Sequence, residues 1–95
     1  MKQKYTKSEI TAVLLKLEYA KNALEAHKNF NLAEVHIEEY MQKCPKALVD
    51  SKIKKIIKES LEQRNHKLLA LAVDSEIERL STLKIKLLRE KITQS

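Results

Sequence analysis

No glycine occurs anywhere in this chain, and its one proline is Pro45. Tight hairpins and strand connections rely on glycine, or on pairs such as Asn-Gly, to reach positive backbone dihedrals. Without them the chain has to be assembled from helices joined by ordinary residues. The remaining composition agrees: 43% of the 95 residues are hydrophobic and 34% charged. That is too apolar for disorder, and a balance rich in Ala, Glu, Lys and Leu is typical of long helices. The expected fold class is all-α, a small bundle of three to four antiparallel helices forming a single domain over residues 1–95. Such a chain buries roughly two-thirds of its unfolded surface, enough for one modest core but not for a deep enzyme cleft beside it.

The N-terminal stretch MKQKYTKSEI lacks the apolar region of a secretory signal. The longest apolar run, Leu68 to Val73, is too short to span a bilayer. Cys44 is the single cysteine, so no intrachain disulfide can form. The expectation is a reduced, cytoplasmic protein without membrane insertion.

Four helices are predicted, over about 7–27, 32–44, 46–62 and 67–92. Thr6 and Glu9 form a capping box at the first start. Ile10, Val13, Leu14, Leu17, Ala20 and Leu24 then recur on one face, and His27 falls in the last turn, where a cation suits the helix dipole. In KNFNLAEVHIEEYMQKCP, Asn31 is the predicted N-cap, with Glu34 at N3 and Phe30 and Val35 closing as a hydrophobic staple. Cys44 ends this second helix ahead of Pro45, which in turn serves as the first residue of the third. The third helix carries Val49, Ile53, Ile56, Ile57 and Leu61. The polar run Glu62 to His66 either breaks the chain into helices three and four or lies inside one long rod. The predicted core includes Leu17, Leu24, Ala33, Ile37, Tyr40, Ile53, Ile57, Val73, Ile77 and Leu80.

Residues 14–47 resemble one tetratricopeptide repeat, a 34-residue helix–turn–helix. Leu17, Ala20 and Leu24 match its first helix, Phe30 its turn, Ala33, Ile37 and Tyr40 its second helix, and Pro45 its close. Lys21 and Tyr40 stand where small residues are usual, and no second repeat follows at a 34-residue offset. Small tetratricopeptide-like chaperones and microtubule-interacting and transport domains are similar helical units. The resemblance implies a scaffold that holds peptides or helices in its groove.

Constellations for chemistry are sparse. His36 and Cys44 stand eight positions apart rather than at metal-ligand spacing. Glu38 and Glu39 are adjacent and diverge by about 100° on a helix, so they do not converge for acid–base work. With Glu34 they leave the second helix acidic. Ser8, Ser51, Ser60, Ser75 and Ser81 all fall in helical contexts without a glycine turn to expose a nucleophile. No catalytic, metal or cofactor site is expected, and the chain is not expected to be an enzyme.

Two features point to partners. The stripe Leu80, Leu83, Leu87, Leu88 and Ile92 is broader than a core this small can cover, which predicts burial against a protein partner or a second copy, in a homodimer or a heteromeric complex. The net charge of +6 is concentrated in SKIKKIIKES and near the C-terminus. Lys52, Lys55, Lys58 and Arg89 are therefore candidate phosphate contacts, although a solvated face explains the same lysines. The functional expectation is a non-enzymatic protein-binding module: an adaptor, small chaperone or inhibitor using its hairpin groove and apolar C-terminal helix. The alternative is a basic helical nucleic-acid-binding regulator.

Overall fold

A computed structural model describes residues 5–94, with side chains as far as Arg89. It contains four helices and, among the described residues, no strand: α1 (Lys7–Glu25), α2 (Phe30–Lys43), α3 (Ser51–Gln63) and α4 (His66–Gln94), with a 3-10 turn at Lys46–Leu48. Helix α1 packs against both α2 and α4, and α3 packs against α4. The body is elongated, 46 × 24 × 18 Å, because α4 at 29 residues runs about 43 Å at 1.5 Å per residue.

Cross-links between side chains fix the directions. Lys16 pairs with Glu39 at 3.0 Å while Tyr19, further on, meets His36, further back, so α1 runs antiparallel to α2. Lys21 pairs with Asp74 at 3.0 Å while Tyr5 lies beside Leu83 and Leu87, so α1 runs antiparallel to α4. The core collects the predicted α1 stripe together with Ala33, Ile37, Tyr40, Ile57, Leu69, Val73, Leu80 and Leu87. Ala20, Ala23 and Ala33 are buried in the same cluster, where small side chains let helix axes approach closely. Ile53 and Ile77, expected inside, are only partly buried against it.

The Thr6–Glu9 capping box forms as predicted, with Thr6 N donating to Glu9 Oε1 at 2.9 Å and Glu9 N to Thr6 Oγ1 at 3.1 Å. The α1–α2 turn differs from its prediction. Helix α1 ends at Glu25, so His27 lies beyond it, exposed. The N-cap of α2 is Asn29, whose Oδ1 accepts from Leu32 N at 3.1 Å, and not Asn31. The reason is economy of backbone groups. Asn29 N donates to Ala23 O at 2.8 Å, so the residue that caps the start of α2 also satisfies a carbonyl left open at the end of α1. Glu34 then falls beyond N3, and the Phe30–Val35 staple does not form. Val35 is exposed, and the Phe30 ring lies beneath the Arg64 guanidinium at 4.6 Å. Asn31, released from capping, accepts from Arg64 Nη2 at 2.9 Å.

Helices three and four are separate. Arg64 takes φ 50° and Asn65 N reaches back to Ser60 O at 2.9 Å, a Schellman closure. Asn65 Oδ1 then caps α4 by accepting from Leu68 N at 3.1 Å. Pro45 does not start α3; it precedes the 3-10 turn, and Asp50 caps α3 by accepting from Lys52 N and Ile53 N at 3.0 and 3.2 Å. That turn inserts Leu48 into the core.

Both reversing turns thus place a side-chain-bearing residue, Lys28 (φ 49°) and Arg64, in left-handed backbone, a conformation costing roughly 1–2 kcal/mol that glycine escapes. Arg64 recovers part of this through Phe30 and Asn31. Lys28→Gly is therefore expected to raise stability by a few tenths to about 1 kcal/mol in urea denaturation, since glycine's extra freedom in the unfolded chain offsets part of the relief. A loss of stability would mean that the Lys28 side chain supports the turn.

Candidate interaction surface

The C-terminal stripe is spent largely inside the chain. Leu80 and Leu87 are buried in the core, Leu83 is partly buried against it, and Leu88 is half-buried; the Ile92 side chain lies outside the described residues. The prediction of an open stripe took the core of so small a bundle to be too narrow to cover it. Tyr5 and the start of α1 instead reach back along α4 as far as Leu83 and Leu87. What α4 exposes is its outer side, where Leu71 (65% exposed) and Ile85 (52%) stand alone. They are fourteen positions apart, about 21 Å along the helix, with Glu78 between them. Isolated apolar residues of this kind are ordinary surface.

The denser apolar surface is on the hairpin. In α1, Leu15 and Tyr19 are one turn apart and exposed, with Ala12 on the same side. In α2, Leu32 and Val35 are exposed, and His36 beside them meets Tyr19 with ring centroids 5.3 Å apart. That contact joins the two helices into one outward face. The cause is local: α1 carries apolar residues at 12, 15 and 19 in addition to its inward stripe, so the helix has two apolar sides and only one can be interior.

Charge is arranged around this face. Lys16 Nζ pairs with Glu39 Oε2 and lies 6.0 Å from the Tyr19 ring centre. The hydrogen bond from Lys16 holds the Glu39 carboxyl below its ordinary value, against some desolvation and with help from the charges of Lys16, His36 and Lys43. His36 Nδ1 is 3.7 Å from Glu39 Oε1 and has no hydrogen-bond partner. Glu18 on α1 and Glu38 on α2 are both exposed.

The basic cluster is exposed at Lys52, Lys55 and Lys58. Glu59 and Glu62 line the same depression as Lys54, Lys55 and Lys58, so carboxylates interleave with the lysines and reduce the field a phosphate would meet. Arg89, exposed on α4, is not part of that depression.

Elsewhere the polar chemistry is structural. Ser60 is buried and donates to Ile56 O at 2.7 Å. Cys44 packs against the core, and burial pushes its thiol above the usual range; His36 sits instead on the outer hairpin face, so the two do not converge. Among the described residues no group of three His, Cys, Asp or Glu is placed to hold a metal ion, and no helix is long and apolar enough to cross a membrane.

The polar cluster that sequence reading missed is internal. Glu76 of α4, 1% exposed, accepts hydrogen bonds from the Tyr40 hydroxyl and from Arg79 Nε (2.7 Å) and Nη2 (2.9 Å). Arg79 Nη2 also donates to Leu48 O. The i, i+3 spacing of Glu76 and Arg79 was visible, but it is also the ordinary spacing of a surface pair. Only Tyr40 and the Leu48 turn closing over it make it interior.

No protein-family model, curated protein or solved structure matches the chain.

Proposed function

We propose that the protein is a non-enzymatic protein-binding module, an adaptor, small chaperone or inhibitor, that receives a segment of its partner on the outer face of the α1–α2 hairpin. The observation that carries this reading is the grouping of Leu15, Tyr19, Leu32 and Val35 as exposed residues on two packed helices, in a chain whose core is filled by other positions. Apolar side chains gathered on one face and rimmed by polar ones are a usual sign of a protein contact. The tetratricopeptide-like pattern of residues 14–47 supports the same role. The single apolar residues on α4 add little, so the hairpin takes the place first given to the C-terminal stripe.

The test is affinity capture from the native host at low and high salt, with nuclease, using the wild-type chain and a Tyr19→Ala, Val35→Ser variant. A protein partner held at high salt and lost by the variant is the expected result. Apolar docking persists as salt rises, whereas phosphate binding falls steeply. Partners that disappear with nuclease, and with Lys52→Ala and Lys55→Ala in place of the hairpin changes, would establish the nucleic-acid reading instead.

A further inference from the structure

We infer that the occupant of this face is an amphipathic helix whose apolar stripe is flanked by lysine or arginine. The inference rests on the proposed binding role of the hairpin and adds the partner's chemistry. A groove between two packed helices accepts the apolar side of a third, read through anchors at i, i+3, i+4 and i+7. The charges beside the groove select among such helices. Glu18 is three positions past Leu15, and Glu38 three past Val35, so each places an exposed carboxylate beside the apolar strip on its own helix. Lys16, the cation nearest the centre, is already paired with Glu39 at 3.0 Å. The two outer edges of this face therefore each carry an exposed carboxylate, in a chain of net charge +6. A helix with basic flanks finds opposite charges there, and one with acidic flanks meets repulsion.

The same charges argue against two hairpin faces meeting symmetrically, because a two-fold contact sets each acidic edge near its own copy. Among the described residues, a second copy offers a surface of suitable chemistry at the edge of α3, where exposed Val49 and Ile56 stand beside Lys52 and Lys55. That contact would be head-to-tail, and would show as growth in mass with concentration.

The test titrates the full chain with two synthetic helical peptides of about 18 residues that share one leucine stripe and differ only in lysine or glutamate flanks. The lysine-flanked peptide is expected to bind about tenfold or more tightly than the glutamate-flanked one at low salt. Glu18→Lys with Glu38→Lys should reverse that preference, and Tyr19→Ala with Val35→Ser should weaken both peptides. Glu78→Lys on α4, the same type of charge change away from the hairpin, should leave the preference unchanged, and circular dichroism checks that each variant is folded. Equal affinity for the two peptides, no binding of either, or an equal effect of Glu78→Lys would overturn the inference. So would self-association in sedimentation that Lys52→Glu with Lys55→Glu abolishes. If a native partner is still lost with Tyr19→Ala and Val35→Ser while the peptides show no charge preference, the binding role stands and the partner chemistry assigned here fails.

Discussion

Truncating Glu76 to alanine is expected to destabilise the fold by about 3–5 kcal/mol, the range for breaking a buried ion pair from one side. Glu76 is 1% exposed and satisfies three donor hydrogens, one from Tyr40 and two from Arg79. Its removal strands the buried Tyr40 hydroxyl, and unpaired buried polar groups cost the full desolvation penalty. Arg79 retains some exposure and can turn outward, which places the loss toward the lower end of that range. The link between α2 and α3 loosens as well, since Arg79 also holds Leu48 O. Replacing the cluster as a whole, with Tyr40→Phe, Glu76→Leu and Arg79→Met, should recover most of the loss, because apolar groups of similar volume need no partners. Urea denaturation measures both variants. A loss below about 1 kcal/mol for Glu76→Ala would mean that Glu76 is solvated rather than buried.

The same cluster has an alkaline signature. Burial, reinforced by the hydrogen bond to Glu76 and its charge, pushes the Tyr40 phenol far above its ordinary value. A group whose folded pKa is raised contributes stability that is complete below its unfolded value and is lost as pH climbs above it. Stability should therefore decline above about pH 10, the free tyrosine value. Tyr40→Phe should show a shallower decline, although it starts from a less stable protein.

Leu17→Ala is expected to cost about 2–5 kcal/mol through the cavity it leaves. Leu17 is fully buried in the middle of α1, the helix that packs against both α2 and α4, so neighbouring helices cannot close the gap without moving apart elsewhere. Leu15→Ala makes the same chemical change two positions away, where the side chain is exposed, and should cost less than about 1 kcal/mol. Thermal unfolding followed by circular dichroism compares them. A larger loss for Leu15→Ala would mean that the inward and outward faces of α1 have been exchanged, and similar losses that the two faces are not distinct.

That pair of leucines marks the boundary between local and tertiary information. The absence of glycine, the Thr6–Glu9 box, the 3.6-residue recurrence in α1 and the stop at Pro45 are local features, and local sterics and hydrogen bonding determined from them an all-helical chain with its first start and second end. Whether α3 and α4 were separate was not settled locally, because Arg64 reaches left-handed backbone without glycine, held by Phe30 and Asn31 from another helix. The choice of Asn29 over Asn31 as cap was partly tertiary: both side chains can cap, the turn's own bond back to Ala23 favours Asn29, and Arg64 from the end of α3 takes up Asn31. Periodicity also marked Leu80 and Leu87 as apolar without saying what covers them. Burial is a property of neighbours, and α1 reaching along α4 placed those leucines inside, leaving Tyr19 and Val35 at the surface. Glu76 is the extreme case, a carboxylate that every local rule assigns to solvent. Only the convergence of Tyr40, Arg79 and the Leu48 turn, 28 or more positions away for Tyr40 and Leu48, supplies the donors that let it be buried.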